Sequence, residues 1–186
     1  MIKTVIWDIG GVILSDIDVP GFWKDIIASK QLRKDFGTNK ITQNEFINQG
    51  SKLLLIDEDE FLRNYKKVYS DIKPIKETYE LYKNMKTAKY ILTDTNLIHA
   101  EFVSETFPDI FKLAKKCYLS NEIGMRKDCI DVFQYVVKDL ELLPSEILFI
   151  DNKEKATNIA REAGLNAIHY KSPEKLKEEL EKLNVK

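Results

Sequence analysis

Glycine, proline and cysteine are scarce in this chain. Its 186 residues contain 7 glycines and 5 prolines, which is too few for a collagenous, low-complexity or disordered protein. The 2 cysteines, Cys117 and Cys129, are too few for a disulfide framework and lack the C-x-x-C spacing of a metal or redox site. We therefore expect reduced thiols in a reducing, cytoplasmic compartment.

Long hydrophobic runs and an excess of one charge are also missing. Residues 1–16 are broken by Asp8 and two glycines, so they fit neither a signal peptide nor a membrane-spanning helix. The 29 lysines and arginines are matched by 30 aspartates and glutamates, whereas a nucleic-acid-binding protein usually shows a basic excess. We expect a single domain with a small insertion, monomeric or weakly dimeric, that binds neither nucleic acid nor a membrane.

The chain does contain short apolar runs that alternate with longer segments of helical spacing. Five runs rich in β-branched and aromatic residues predict buried strands: Thr4 to Trp7, Lys89 to Leu92, Cys117 to Leu119, Ile147 to Ile150 and Ala167 to His169. Helical spacing is clearest in 130–140 and 176–183. The alternation predicts an α/β fold with a Rossmann-like parallel sheet flanked by helices.

One long interval, residues 16 to 73, interrupts this alternation because it contains no convincing strand. Three groups of apolar residues predict three helices there, at 22–27, 46–56 and 61–69. Pro74 disfavours helix at the residue before it and marks the return to the sheet. We therefore predict an α/β core formed by 1–15 and 74–186, with 16–73 as a small helical insertion.

Polar residues follow four of the predicted strands, at the edge of a parallel sheet where ligands bind. Asp8, Thr93 and Asp151 end the first, second and fourth strands, and Lys127 follows the third. Two carboxylates, a hydroxyl and a lysine suit phosphoryl transfer, which needs a nucleophile, oxygen ligands for a hard cation and positive charge. Zinc chemistry is disfavoured because the histidines have no ligand spacing. P-loop, serine-hydrolase and zincin motifs do not occur.

The order and placement of Asp8, Thr93, Lys127 and Asp151 resemble the four motifs of the haloacid dehalogenase superfamily, over nearly the whole chain. The stretches around these residues are similar in particular to the branch that contains bacterial α-glucose-1-phosphate phosphatase. The resemblance implies a phosphoric monoester hydrolase that requires Mg²⁺ and acts on a small phosphorylated metabolite such as a sugar phosphate. It also implies that the insertion is a cap, which closes over the site and selects the substrate.

The same resemblance implies roles for individual residues. Asp8 is the nucleophile that forms an aspartyl-phosphate, and Thr93 and Lys127 complete the catalytic set. Mg²⁺ is held by the Asp8 carboxylate, the backbone carbonyl of Gly10 and the Asp151 carboxylate. The remaining contacts, to the substrate, are implied for Asp94, Asn96, Gly11 and Arg126.

One position departs from the superfamily pattern. Most phosphatases of the superfamily carry an aspartate two residues after the nucleophile as general acid and base, whereas this chain has Gly10. Loss of positioned proton transfer costs about 10²–10⁴-fold in rate, so we expect a substrate with a good leaving group, such as an anomeric sugar phosphate. Asp16 and Asp18 are candidates for a substitute carboxylate, although a turn or a helix cap suits them equally well.

Two other functions stay open. A haloacid-type dehalogenase also uses an aspartate nucleophile but needs no metal; Asp151 and the glycine-rich loop after Asp8 favour the phosphatase. A degenerate member, kept as a binding or regulatory protein, would account for Gly10 and for Asn152, which stands where many relatives have a second acid and could weaken metal binding. The intact motif residues argue against that reading.

Several further residues are expected to pack rather than to bind a ligand. His99 falls on a presumed helix, where a histidine is more often a packing or surface residue. Phe22, Trp23, Tyr65 and Tyr69 are expected to form the core of the insertion rather than a platform for a sugar ring.

Overall fold

Five parallel strands form the centre of the molecule, which a computed structural model describes for residues 1–16 and 27–185. The strands are β1 (Thr4–Trp7), β2 (Ala88–Thr93), β3 (Cys117–Leu119), β4 (Ile147–Asp151) and β5 (Asn166–His169). They pair in the order β3-β2-β1-β4-β5, and every neighbouring pair is parallel. The predicted α/β fold with a parallel sheet is confirmed.

Helices connect the strands. Between β1 and β2 lie α1 (Ile27–Phe36), α2 (Gln43–Leu54), α3 (Glu58–Lys67) and α4 (Lys76–Asn84). Between β2 and β3 lie α5 (Leu97–Thr106) and α6 (Asp109–Lys112). After β3 come α7 (Ser120–Ile123), α8 (Ile130–Leu140) and a 3₁₀ turn (Pro144–Glu146). Around β5 lie α9 (Glu154–Glu162) and α10 (Pro173–Lys182). None of the helices in the described residues is long and apolar enough to cross a bilayer.

The strands are buried on both faces because their side chains alternate between two apolar clusters. In β1, Val5 and Trp7 belong to one cluster and Ile6 belongs to the other. The cluster of Ile6 is completed by residues of α8 and α9, among them Phe133 and Ala160. Burial on both faces explains why these strands appear in the sequence as continuous apolar runs rather than as alternating ones.

The chain leaves the sheet and returns to it at one place. The Ser15 N–H donates to the Lys73 carbonyl at 2.7 Å, and the Ile75 N–H donates to the Ile13 carbonyl at 3.0 Å. The two crossings therefore lie side by side, and the described residues between them form α1, α2 and α3 but no strand. The division into a core and a cap remains a prediction, which this arrangement supports.

Helices α2 and α3 begin at residues whose side chains satisfy the free N–H groups of a first turn. Thr42 accepts the Glu45 N–H at 3.2 Å, while the Glu45 carboxylate accepts the Thr42 N–H at 2.8 Å. Asp57 accepts the Glu60 N–H at 2.7 Å. Such caps are each worth about 1 kcal/mol, so the start of both helices is specified locally.

An aromatic cluster holds α1, α2 and α3 together. Phe36 of α1 stacks on Phe46 of α2 with a distance of 4.3 Å between ring centroids. Phe46 in turn meets Phe61 and Tyr65 of α3 edge to face, at 5.5 and 4.9 Å. Helices α2 and α3 approach closely at Gly50, where an added Cβ would collide with the Phe61 ring. These three helices are therefore fixed to one another by side-chain packing.

Three helix boundaries differ from the sequence predictions. Most of the helix predicted at 22–27 lies outside the described residues, and α1 continues to Phe36. The second helix ends before Leu55, which has a left-handed φ of 57° and is 93% exposed. Asp57 starts the next helix, so the chain must turn between the two. The third helix ends before Tyr69, which lies in the turn that follows it.

Candidate active site

Strands β1 and β4 are neighbours in the sheet, and each leads into an aspartate. Asp8 follows β1 and Asp151 ends β4, and their residues are only 4% and 0% exposed. An unpaired carboxylate at such a depth would be costly. Both are paired with the same cation, since Lys127 Nζ lies 2.7 Å from Asp8 Oδ1 and 2.6 Å from Asp151 Oδ2. The sheet order thus joins three residues that lie far apart in the sequence.

The charges in this cluster shift the pKa values of Lys127 and Asp151. Burial by itself lowers the pKa of Lys127, but the charges of Asp8 and Asp151 outweigh burial and raise that pKa above the usual lysine range. Burial and the nearby charge of Asp8 raise the pKa of Asp151. Lys127 therefore carries its positive charge at neutral pH, between the two carboxylates.

The loop that carries Lys127 is held in place by Asp94. The Lys127 N–H donates to Asp94 Oδ1 at 3.0 Å, and Arg126 Nη2 pairs with Asp94 Oδ2 at 3.0 Å. Thr93, the last residue of β2, is 4% exposed. The side chain of Asp94 therefore braces the loop, next to the hydroxyl that ends the strand.

These residues line one side of a cavity of about 270 Å³. We call this side, at the strand ends, the floor; its lining residues are Asp8, Gly10, Thr93, Asp94, Arg126, Lys127 and Lys153. We call the opposite side, on α1, α3 and the turns after them, the roof; its lining residues are Arg33, Gly37, Tyr65, Val68 and Tyr69. Asp16, Thr95, Asn96 and His99 complete the lining. Asp151 is fully buried, and its carboxylate forms an ion pair with Lys127 of the floor.

Asn96 and His99 join the floor to the roof. As the N-cap of α5, Asn96 accepts the His99 N–H at 3.1 Å, and its Nδ2 lies 3.2 Å from the hydroxyls of both Tyr65 and Tyr69. The His99 ring stacks on Tyr69 at 4.8 Å, and its Nδ1 lies 2.9 Å from Thr95 Oγ1. Burial lowers the pKa of His99 to about 4, so the ring is neutral at neutral pH.

Ser120 makes a second connection between the two sides. Its hydroxyl oxygen accepts the Thr95 N–H at 2.9 Å and lies 2.7 Å from the carbonyl oxygen of Gly37, which follows α1. Ser120 is 1% exposed. A buried hydroxyl in this position fixes the end of α1 relative to the loop after β2.

The loop after Asp8 packs against the end of β4. Gly11 has a φ of +73°, a conformation that favours glycine, and an added Cβ there would collide with the Asn152 amide. The amide oxygen of Asn152 is buried and has no hydrogen-bond partner among the described residues. Gly11 is not part of the cavity lining described for residues 1–16 and 27–185; its contact is with Asn152.

Known proteins resemble this chain over nearly its whole length. The D-ribitol-5-phosphate phosphatase of Bacteroides thetaiotaomicron is 27% identical in an alignment of 205 positions that covers 97% of each chain. A solved haloacid dehalogenase (HAD) family enzyme from the same organism, in complex with magnesium and inorganic phosphate, has a TM-score of 0.78 at 24% identity, over 92% of this chain and 96% of that one. A predicted HAD-like family hydrolase from Porphyromonas gingivalis has a TM-score of 0.81 at 18% identity, over 99% and 98% of the two chains.

The chain has the fold of these haloacid dehalogenase family enzymes. No protein-family model matches it. These relatives bear out the resemblance to the superfamily drawn from the four motifs, but they do not confirm the narrower likeness to the glucose-1-phosphate phosphatase branch. The departures of this chain from the superfamily pattern, at Gly10 and Asn152, therefore need an account from its own structure.

The cavity also contains residues that the sequence pattern does not predict as site residues. His99, Tyr65 and Tyr69 were expected to pack, and they do contact one another, but they also line the cavity. Arg33 also lines the cavity, although no sequence motif marks it as a site residue. Its Nε donates to the Ser29 carbonyl at 3.2 Å, and the described residues offer its guanidinium no ion pair. Only the density of cations on α1 could have pointed to it.

The floor suits a magnesium ion better than a soft metal. The described residues contain no group of three or more His, Cys, Asp and Glu side chains that could hold a metal. A cation at the floor would instead rely on two carboxylates with backbone and water oxygens, the ligands that Mg²⁺ usually takes. Asp8, Asp151 and Gly10 supply such a set, and the partnerless amide oxygen of Asn152 lies next to it in the sequence. The donor chemistry therefore fits the ion.

Proposed function

We propose that this chain is a Mg²⁺-dependent phosphatase that hydrolyses a small phosphorylated metabolite through an aspartyl-phosphate on Asp8. The observation that carries the proposal is the buried ammonium of Lys127, within 2.7 Å of the carboxylates of both Asp8 and Asp151. A nucleophile, a positive charge and a second carboxylate at one edge of the sheet are the groups that this chemistry requires. The phosphatase relative and the solved relative with magnesium and phosphate support the same chemistry.

The reaction has two halves. In the first, an Asp8 oxygen bonds to phosphorus while the bond from phosphorus to the leaving-group oxygen breaks. In the second, a water oxygen bonds to phosphorus and the bond to Asp8 breaks, which releases phosphate. Lys127 offsets the negative charge that builds up on the phosphate oxygens in both halves. The Thr93 hydroxyl and the Asp94 N–H bind those oxygens.

Mg²⁺ would be held by the Asp8 carboxylate, the Gly10 carbonyl and Asp151. When bound, the ion supplies positive charge that reduces the repulsion between the phosphate and Asp8. Asp151 serves the site by holding both the ion and Lys127. This role explains why a second carboxylate is buried beside the nucleophile, at a position where an apolar residue would cost less.

The cavity indicates a small substrate. Its volume of about 270 Å³ lies near the lower end of the range of about 300–1,000 Å³ that is usual for ligand pockets, which suits a sugar or polyol phosphate. The roof offers tyrosine hydroxyls and a guanidinium as specific polar groups among apolar surface. The insertion therefore acts as the cap that selects the substrate. D-ribitol 5-phosphate, the named substrate of the relative, is an alkyl phosphate, so this class is favoured over an anomeric phosphate with a better leaving group.

The test is phosphate release from a panel of sugar, polyol and aryl phosphates, with and without Mg²⁺. Wild type is compared with Asp8→Asn and with Asp71→Asn, which alters an exposed aspartate in a turn. We expect metal-dependent turnover that Asp8→Asn lowers by at least about 10³-fold and that Asp71→Asn leaves unchanged. Metal-independent turnover of a 2-haloacid would indicate a dehalogenase instead. A folded wild type that binds Mg²⁺ but hydrolyses nothing would indicate a degenerate binding protein.

A further inference from the structure

The proposed reaction needs a group that moves protons. An alkoxide leaves phosphorus slowly unless its oxygen is protonated, and a positioned acid accelerates such a step by about 10²–10⁴-fold. Gly10, two residues after the nucleophile, has no side chain to do this. If the proposed function holds, another residue of the cavity must transfer the proton.

Most of the candidates in the cavity are excluded by their contacts or by their protonation. The carboxylate of Asp94 is engaged by Arg126 and by the Lys127 N–H. Burial raises the pKa of the hydroxyls of Tyr65 and Tyr69, which makes them poorer acids. The His99 ring stacks on Tyr69, and its Nδ1 lies 2.9 Å from Thr95 Oγ1.

Asp16 is another carboxylate of the cavity lining, and it lies beside the nucleophile's own loop. It lines the same cavity as Asp8. Its Oδ1 is 3.9 Å from the point where a Cβ on Gly10 would stand, and outside residues 9–11 no other atom of the described residues lies within 4 Å of that point. The carboxylate therefore lies in the space next to Gly10 that a side chain at position 10 would enter. Glycine at position 10 leaves this space to Asp16.

The chain just before Asp16 is fixed by the crossing into the insertion. The Ser15 N–H donates to the Lys73 carbonyl at 2.7 Å, and the Lys73 N–H donates to the Ser15 hydroxyl at 3.1 Å. These two bonds hold the backbone one residue before Asp16. The backbone next to Asp16 is thus held between the floor and the insertion, and a positioned backbone favours a role in proton transfer.

We propose that Asp16 is the general acid and base of this phosphatase. In the first half-reaction, the protonated Asp16 carboxyl gives its proton to the leaving-group oxygen as that oxygen separates from phosphorus. In the second, the Asp16 carboxylate takes a proton from the attacking water as the bond between phosphorus and Asp8 breaks. Asp8 returns as a carboxylate and Asp16 returns protonated, so the proton balance closes over one turnover.

The test compares two leaving groups in wild type and Asp16→Asn. D-ribitol 5-phosphate, or the best alkyl phosphate of the panel, needs a proton on its leaving group, whereas 4-nitrophenyl phosphate releases a stable phenolate. We expect Asp16→Asn to lower kcat/KM for the alkyl phosphate by about 10²-fold or more. The fold loss of kcat/KM for the aryl ester should be smaller than this by a factor of at least about ten. The ratio kcat/KM reports only the steps up to leaving-group departure, so slow hydrolysis of the aspartyl-phosphate does not obscure it.

A second readout follows the other half of the reaction. With 4-nitrophenyl phosphate, Asp16→Asn should release a burst of nitrophenolate followed by a slow steady rate, because water attack has lost its base. Equal losses of kcat/KM for both leaving groups, or no loss, would overturn the role of Asp16. The same applies if His99→Gln, rather than Asp16→Asn, gives the selective loss.

The controls separate this inference from the proposed function. Wild type must hydrolyse the aryl ester with Mg²⁺, and its failure to do so would overturn the phosphatase proposal along with the role of Asp16. Asp71→Asn controls for the loss of one negative charge. Circular dichroism and thermal unfolding check that Asp16→Asn is folded, and Asp16→Ser provides a second variant that also lacks the carboxyl group.

Discussion

The floor and the roof of the cavity are stabilised in different ways. The floor is made of charges that pair with one another, with Lys127 between Asp8 and Asp151 and with Arg126 on Asp94. It sits on parallel strands whose hydrogen bonds fix the spacing of these groups. The roof is made of stacked aromatic rings and of Arg33, which has no ion pair among the described residues. A fixed, charged floor suits phosphoryl transfer. A packed roof, with the guanidinium of Arg33 in no ion pair with the described residues, suits substrate selection.

Removal of the central charge of the floor, Lys127, should have the largest effect on activity and stability. We expect Lys127→Met to lower kcat by about 10³-fold, because the charge on the transferring phosphoryl group loses its nearest cation. The variant also leaves two buried carboxylates without their partner, which costs about 3–5 kcal/mol in the free energy of unfolding. Turnover of an aryl phosphate and urea unfolding measure the two effects.

A matched substitution shows whether the position or the charge matters. Lys155→Met removes an exposed lysine on α9 and should change neither kcat nor stability by more than a small amount. If Lys127→Met kept near-wild-type kcat, the charged floor would not be the catalytic part of the molecule. The difference drawn between the floor and the roof would then be wrong.

His99 lies where the floor meets the roof. Because its ring is neutral in the folded chain, the stability of the protein should depend on pH. Its pKa is lowered from 6.5 to about 4 in the folded chain, so the unfolded chain binds more protons between these values. Stability should therefore fall as the pH drops from 6.5 towards 4, by roughly 3 kcal/mol from this group alone. Urea unfolding at pH 7.5 and at pH 4.5 measures most of this loss.

The variant His99→Gln isolates the contribution of the imidazole. Other groups titrate in both proteins, so the difference between their acid sensitivities reports His99. We expect the variant to lose less stability than wild type between the two pH values, even though it is less stable at pH 7.5 without the stack on Tyr69. Equal acid losses in the two proteins would show that His99 is not held neutral between the floor and the roof.

The floor could be anticipated from the sequence because its residues belong to local patterns. Asp8 and Asp151 follow short β-branched runs, and the ends of parallel strands meet at one edge of a sheet. The predicted bounds of β1 and β3 agree with the structure at every residue. The second strand is longer than the apolar run that predicts it: it begins at Ala88, which has a weak strand preference, and it includes Thr93.

The roof could not be anticipated in the same way, because its site residues are brought in by packing. Arg33 lines the cavity only because α1 is held by the stack of Phe36 on Phe46. Tyr69 reaches His99 only because the chain turns after α3. No spacing within one helix encodes such contacts, and a polar residue on a solvated helix looks the same in sequence whether it faces a cavity or water. Phe22, Trp23 and Asp18 lie outside the described residues.

The close packing of α2 against α3 at Gly50 can be tested by a substitution whose effect should be small. An added methyl group at Gly50 collides with Phe61 across α2 and α3, which costs about 1–3 kcal/mol, while alanine regains up to about 1 kcal/mol of helix propensity. Gly50→Ala should therefore lower the free energy of unfolding by about 1–2 kcal/mol and impair hydrolysis of a polyol phosphate more than that of an aryl phosphate. Gln49→Ala, exposed on the same helix, should be neutral in both assays. A stabilised Gly50→Ala would mean that the roof does not depend on this close approach of its helices.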